Sequence, residues 1–164
     1  SKVIKEKFNM DEVEIVSFND LNVQPCTECN YECFDNKENC PFYSDEIKNI
    51  YNKILDSDFV YYVIPNYCGY PCANFFIFNE RSVCVFSKER ELLNQYLQIS
   101  KKFIVVSSSN QENFKNILQY QTVMAPDILF LNAREFNQRS TEGKLMDNEE
   151  AKNKLIQFLS YMYS

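Results

Sequence analysis

Short β-rich apolar runs alternate along this chain with stretches of helical periodicity, and that alternation leaves few folds open. Strands are predicted at 13–16, 59–64, 103–106 and 128–131. The run at 59–64 contains no charged residue, which is typical of a parallel strand covered on both faces. A chain that alternates strands and helices in this way is expected to form an α/β domain with a mainly parallel sheet.

Helical periodicity accounts for the segments between these strands. Ser44 is predicted to cap a helix that reaches Leu55, and a second helix is expected from Pro71 to about Glu80. Further helices are predicted around 92–97, around 114–118, and at the end of the chain on a face formed by Ala151, Leu155, Phe158, Leu159 and Met162. No repeat or linker divides the 164 residues, so one domain over 1–164 is expected.

Two absences exclude whole classes of active site. The chain contains no histidine, which removes Ser-His and Cys-His nucleophiles and every histidine metal site. It contains only two glycines, Gly69 and Gly143. Two glycines are too few for a GxGxxG dinucleotide loop or a Walker phosphate loop.

Charge and cysteine content bear on partners and location. The net charge of −6 disfavours binding to nucleic acid or to an anionic membrane. No apolar run approaches the roughly 20 residues that a membrane span needs, and no signal-like segment opens the chain. The seven cysteines, an odd number, argue against a secreted disulfide framework. We therefore expect a cytoplasmic protein with no nucleic-acid or membrane partner.

Four of the cysteines lie close together in the sequence. Their spacing is C-x2-C-x3-C-x6-C, formed by Cys26, Cys29, Cys33 and Cys40. Thiolates at this spacing could surround a 4Fe–4S cluster or a tetrahedral zinc ion. The alternative is a cysteine-rich loop whose thiols pack as small apolar groups.

Ligands of parallel α/β sheets bind beyond the carboxyl ends of the strands, so the loops there are the candidate binding segments. The strand at 59–64 is followed by Pro65, Asn66, Tyr67, Cys68, Gly69 and Tyr70. A planar heteroaromatic ring could stack on Tyr67 or Tyr70, and Gly69 suits a positive φ or a close backbone approach. The alternative is a tight turn whose tyrosines cover the core. The strand at 103–106 is followed by Ser107, Ser108, Ser109 and Asn110, which could line the same pocket or cap the next helix.

Several motifs occur here in a characteristic order. An L-x-x-x-P-C-x-x-C loop at 21–29 precedes an amphipathic helix, a strand that ends in P-x-Y-x-G at 65–69, and a helix that closes in Glu80 and Arg81. This succession resembles the NAD(P)H-dependent FMN reductase family of flavodoxin-like proteins, including its iron–sulfur flavoprotein branch. The resemblance extends from the start of the chain to about residue 81.

The resemblance implies a flavodoxin-like, three-layer, doubly wound parallel sheet with FMN at its switch point, in a homodimer. It implies an NAD(P)H oxidoreductase that passes electrons through FMN to a small-molecule or protein acceptor. By the same resemblance, 65–70 and 107–110 would contact the flavin. Cys26, Cys29, Cys33 and Cys40 would hold a 4Fe–4S cluster if the chain belongs to the iron–sulfur branch.

The start of the chain departs from the family pattern. Family members begin with a strand and a Ser-rich loop that binds the FMN phosphate, whereas the residues from Ser1 onward match the helix after that loop. We therefore expect either a longer polypeptide that supplies this strand, or a rearranged architecture, or one completed by a partner chain. Two alternative functions stay open: a flavodoxin-like binding or dimerisation module without flavin, and an iron–sulfur or zinc protein centred on the four cysteines.

Overall fold

Parallel strands form the centre of the molecule. The computed structural model describes residues 2–8, 13–27, 29–107 and 112–160. Strands β1 (Phe59–Tyr67), β2 (Tyr70–Pro71), β3 (Ser100–Ser107) and β4 (Asp127–Asn132) form one sheet in the order β2-β1-β3-β4. β1, β3 and β4 are parallel, and the two-residue β2 is antiparallel to β1. The α/β class and the mainly parallel sheet are as predicted.

Helices connect the strands. They are α1 (Lys2–Lys7), α2 (Ile47–Leu55), α3 (Ala73–Glu80), α4 (Ser82–Phe86), α5 (Arg90–Gln98), α6 (Glu112–Leu118) and α7 (Glu149–Ser160). Short 3-10 helices lie at Phe18–Asp20, Glu32–Phe34, Lys37–Asn39, Gln119–Gln121, Ala133–Phe136, Ser140–Glu142 and Leu145–Asp147. In the described part of the chain, no helix has the length and apolar character that crossing a membrane requires.

Side chains of successive strand residues point to opposite faces of the sheet, and helices cover both faces. On one face, Ile104 of β3 and Leu129 and Leu131 of β4 pack with residues of α1 and α7. On the other face, Phe103 and Val105 of β3 pack with residues of α3 and α6. A neighbouring cluster on that second face joins α2, α3, α4 and α5, with the Tyr51 side chain at its centre and 1% exposed.

Most predicted elements are present. The strands predicted at 59–64, 103–106 and 128–131 are β1, β3 and β4, and the predicted helices correspond to α2, α3, α5, α6 and α7. Met162, which the helical pattern predicts on the same face as Ala151 and Leu155, lies outside the described residues. The Ser44 cap is wrong: Ile47 N–H donates to Asp45 Oδ1 at 3.1 Å, so Asp45 satisfies the first turn of α2.

The strand predicted at 13–16 is not formed. These residues have no regular secondary structure and pair with no strand in the described part of the chain, and Ile15 and Val16 are 39% and 42% exposed. A β-rich run becomes a strand only where a partner strand accepts its backbone hydrogen bonds. The sequence pattern showed the propensity of this segment and could not show whether a partner was present.

Within the described residues, the outer edge of β1 has a partner strand only at its carboxyl end. Residues 59–65 pair with β3 on one side, and β2 pairs only with Asn66 and Tyr67 on the other. No other strand of the described chain lies at that edge. Val63 is 52% exposed in the middle of this apolar strand, so the prediction that β1 is covered on both faces is wrong at this residue.

Candidate functional site

The segment predicted to contact a ligand forms a tight hairpin at the carboxyl end of β1. Tyr67 of β1 lies directly opposite Tyr70 of β2, and Cys68 and Gly69 connect them. Cys68 has φ 54° and Gly69 has φ 87°, and a type I′ turn requires positive φ at both of these central positions. Gly69 therefore has the positive φ that was predicted for it, and Cys68 shares that conformation without the freedom of glycine.

The Asn66 side chain fastens this hairpin to the neighbouring strand. Its Nδ2 donates to Ser107 Oγ at 2.8 Å, and its Oδ1 accepts from Gly69 N–H at 2.8 Å. Asn66 is 9% exposed and Ser107 is fully buried, so both hydrogen bonds are shielded from water. These hydrogen bonds connect the carboxyl ends of β1 and β3 and stabilise the turn.

The hairpin presents two aromatic side chains to solvent. Tyr67 is 63% exposed and Tyr70 is 52% exposed, and directly opposed residues of an antiparallel pair lie on the same face. The alternative, in which these tyrosines cover the core, does not match their exposure. Two adjacent phenol rings on a rigid turn can stack on a planar ligand.

The positions of the other predicted flavin-contacting residues say less about a binding site. Pro65 lies in β1 opposite Val106 of β3. Ser107 closes β3 as described above. Ser108, Ser109 and Asn110 lie outside the described residues, so the second half of the predicted binding segment has no structural description.

A buried arginine contacts both ends of the cysteine-rich segment, residues 24–45. Arg81 is fully buried, and its Nη1 donates to Gln24 O at 2.6 Å and to Asp45 Oδ2 at 2.6 Å, while its Nη2 donates to Phe42 O at 3.2 Å. The neighbouring Glu80 accepts from Cys26 N–H at 2.7 Å. The Glu-Arg pair that carried part of the sequence resemblance therefore anchors both ends of the segment that contains the four cysteines.

The four predicted metal ligands are not assembled around a common point. Cys26 is exposed, Cys33 is buried in the 3-10 helix Glu32–Phe34, and Cys29 and Cys40 are partly buried. Across the described residues, no three His, Cys, Asp or Glu side chains form a group that could hold a metal ion. This arrangement does not fit a 4Fe–4S cluster or a four-thiolate zinc site, and the metal assignment stays a prediction of the sequence pattern alone.

One thiol contact was not foreseen. Cys40 Sγ lies 3.5 Å from Cys84 Sγ in α4, across 44 positions of sequence. Burial raises the pKa of Cys40 above its ordinary value, and partial burial together with Cys84 and Glu80 raises the pKa of Cys26 to about 11. Nothing in the spacing of the four-cysteine motif pointed to Cys84, because only the tertiary fold brings α4 beside it.

Cys84 also lines a cavity of about 230 Å³ between α2, α4, α5 and the segment 37–43. Its polar lining comes from Lys37, Lys48, Asn52, Arg81 and Glu89. The residues that line it belong to helices and loops outside the predicted binding segments 65–70 and 107–110.

Comparison of the chain with protein-family models, with curated proteins and with solved structures gave no match. The assignment of function therefore depends on the residues of this chain and on their geometry.

Proposed function

We propose that this protein is an FMN-dependent oxidoreductase that takes electrons from NAD(P)H and passes them to a small-molecule or protein acceptor. The observation that carries the proposal is the Tyr67–Tyr70 hairpin, a rigid turn with two exposed tyrosines at the carboxyl end of a parallel strand. Open α/β sheets bind their ligands at this edge, and stacking on tyrosine suits a flat tricyclic ring.

Conformational strain at the tip of the hairpin also supports an FMN site there. Cys68 occupies the left-handed region that Asn, Asp or Gly would occupy at lower cost in a turn of this kind. A non-glycine residue held there costs on the order of 1 kcal/mol, and such positions cluster at ligand sites. The Asn66 hydrogen bonds to Gly69 and Ser107 hold the strained turn in place.

The residues present fit a planar cofactor at this edge. Tyr67 and Tyr70 would supply the stacking surface, and the backbone of the Cys68–Gly69 turn would face the polar edge of the ring system. Asn66 acts as a positioning residue, because both ends of its amide already make hydrogen bonds within the protein. When bound, FMN would supply hydride acceptance at its N5 atom and onward electron transfer.

The proposal also includes a flavodoxin-like fold. Helices on both faces of the parallel strands β1, β3 and β4 agree with a flavodoxin-like, doubly wound arrangement. The open edge of β1 at 59–65 leaves room for the further strands that such a sheet carries. A homodimer in the cytoplasm is proposed with it. A 4Fe–4S cluster is not included, because the described cysteines do not fit one.

The proposal is tested by adding FMN to the purified protein and recording its visible absorption and the quenching of its fluorescence. We expect saturable binding with a perturbed two-banded spectrum, followed by NAD(P)H oxidation when an artificial acceptor is present. Replacing both Tyr67 and Tyr70 by alanine should weaken FMN binding at least about tenfold, because stacking on an aromatic side chain contributes about 1–3 kcal/mol per ring.

Tyr120→Ala is the matched control. Tyr120 is 76% exposed and lies in the 3-10 helix Gln119–Gln121, so its loss should leave FMN affinity unchanged. FMN that stays spectrally unperturbed at high protein concentration contradicts the proposal and favours a binding or dimerisation module. Equal losses of affinity in the Tyr67/Tyr70 and Tyr120 variants would contradict the assignment of the hairpin.

A further inference from the structure

The contact between Cys40 and Cys84 is supported from several directions. Lys37 Nζ donates to Val85 O in α4 at 2.7 Å, and Lys88 Nζ donates to Asp35 O at 2.9 Å. Arg81, immediately before α4, donates to Phe42 O. These three hydrogen bonds attach the chain on both sides of Cys40 to the helix that carries Cys84. The two thiols are therefore kept at a high effective concentration relative to each other.

The two thiols of the pair differ in their exposure to solvent. Cys40 is partly exposed, and Cys84, which is 8% exposed, borders the cavity of about 230 Å³. The Arg81 guanidinium next to them is fully buried, and its Nε has no hydrogen-bond partner in the described part of the chain. Burial raises the pKa of Cys40, and the Arg81 charge offsets only part of that effect.

We propose that Cys40 and Cys84 form a reversible intramolecular disulfide and that this pair is a redox-sensitive modification site instead of part of a metal-ligand set. The sulfurs lie 3.5 Å apart, and closing to the bond length of about 2.0 Å needs only a small movement. The proposal does not depend on flavin binding.

The reaction partner is a low-molecular-weight disulfide. The more exposed Cys40 attacks one of its sulfurs, which forms a mixed disulfide and releases one thiol; the proton from Cys40 goes to that leaving thiolate. Cys84 then attacks the Cys40 sulfur, forms the Cys40–Cys84 bond and releases the second thiol, which takes the proton from Cys84. The two cysteines are oxidised by two electrons, and the small disulfide is reduced to two thiols.

The bridge would fasten the cysteine-rich segment to α4. It would close a loop of 44 positions that Arg81, Lys37 and Lys88 hold only by hydrogen bonds in the reduced protein. Loop closure of this length should raise the melting temperature of the oxidised protein by about 5–10 °C. In a reducing compartment such bonds are typically transient and regulatory, which suits a reversible switch.

Tryptic peptide mapping can identify the proposed disulfide, because Cys40 and Cys84 fall in different peptides. Cleavage after Lys37, Lys48, Arg81 and Lys88 places Cys40 alone in the peptide 38–48 and Cys84 alone in the peptide 82–88. The reduced protein is titrated with oxidised glutathione, quenched with acid, alkylated and digested. We expect a linked 38–48/82–88 pair as the main cross-link, five of the seven cysteines alkylated, and full reversal by dithiothreitol.

Three variants separate the proposal from other outcomes. Cys84→Ser should trap glutathione on Cys40 as a stable mixed disulfide, and Cys40→Ser should abolish the cross-link to 82–88. Cys26→Ser is the matched control and should leave the cross-link unchanged, because Cys26 lies nearby without being one of the bridged residues. Melting curves of each reduced variant show whether it is folded.

Several results would overturn the proposal. One is a cross-link that joins the peptide 8–37, which carries Cys26, Cys29 and Cys33, to either partner. Another is that Cys40 and Cys84 both stay alkylatable at oxidised glutathione concentrations that modify the exposed Cys26 or Cys68. A third is stoichiometric iron or zinc that is lost in Cys40→Ser, because a metal-bound thiolate is not available for this exchange.

Discussion

Arg81 and Asp45 form a buried ion pair that joins the end of α3 to the start of α2. Nη1 of Arg81 lies 2.6 Å from Oδ2 of Asp45, and the two side chains are 0% and 7% exposed. Burial lowers the pKa of Arg81, but its hydrogen bond to Asp45 and its interaction with Cys84 outweigh that effect and raise the pKa above its ordinary value. The pair fixes the segment between 24 and 45, which carries the cysteines and borders the cavity.

Breaking this pair should be strongly destabilising. In Arg81→Met, Asp45 stays buried without its cation, and the carbonyl oxygens of Gln24 and Phe42 lose their donor. We expect a loss of about 3–5 kcal/mol in the free energy of unfolding, measured by urea denaturation. Asp45→Asn should cost less, because Arg81 keeps its two carbonyl acceptors.

The surface pair Lys154–Glu135 is the control for that measurement. Its side chains are 43% and 51% exposed at a distance of 3.2 Å. Glu135→Gln should change stability by no more than about 1 kcal/mol. Similar losses for Arg81→Met and Glu135→Gln would show that burial does not strengthen the Arg81–Asp45 contact.

The two glycines allow a matched test of the hairpin. Gly69 has φ 87° and Gly143 has φ 69°, and a Cβ at Gly143 would meet nothing within 4 Å. Valine at either position should cost about 1–2 kcal/mol of stability, since both backbones are in the region that β-branched residues avoid. Only Gly69→Val should also weaken FMN binding, as fluorescence titration would show. Loss of FMN binding in both variants would point to general unfolding.

Lys101 should make stability depend on pH. Its side chain in β3 is 5% exposed, and burial lowers its pKa from 10.5 to about 8. Between these two values the unfolded chain binds more protons than the folded one, so stability rises with pH from about 8 toward 10.5. Below pH 8 the folded chain bears the full cost of the buried ammonium.

The size of this effect has an upper bound of about 3 kcal/mol, at about 1.4 kcal/mol per pKa unit. Nζ donates hydrogen bonds to Tyr96 O and Ile99 O and lies 4.2 Å from the centre of the Tyr96 ring. These contacts favour the charged ammonium and therefore make the effect of pH on stability smaller. Urea midpoints between pH 7 and 9.5 should rise more in the parent protein than in Lys101→Met or Lys101→Arg. Parallel pH profiles for all three proteins would contradict the lowered pKa.

The cysteine-rich segment yields a prediction about metal content. Anaerobically prepared protein should contain less than about one equivalent of iron and zinc together, because no described group of side chains can hold either ion. Elemental analysis provides the measurement, with Cys29→Ser as the comparison. A full equivalent that disappears in Cys29→Ser would show that the segment rearranges around a metal.

The regular elements were predictable because they depend on local patterns. β1, β3 and β4 are apolar runs of strand length, and α2 and α5 repeat their apolar residues at helical spacing. The hairpin was partly predictable as well, since Gly69 at a strand end indicates a positive φ. The exposure of Tyr67 and Tyr70 was not, because exposure depends on what the rest of the chain covers.

The sequence by itself determined the α/β class, the position of the hairpin at the carboxyl end of β1 and the exclusion of histidine chemistry. Tertiary structure alone decided that 13–16 pairs with no strand of the described chain, that Glu80 and Arg81 anchor the cysteine-rich segment, and that Cys40 faces Cys84. The physical reason is the sequence separation over which each kind of interaction acts. Periodicity and turn preference act over a few residues, whereas strand pairing, buried ion pairs and thiol contacts join residues tens of positions apart.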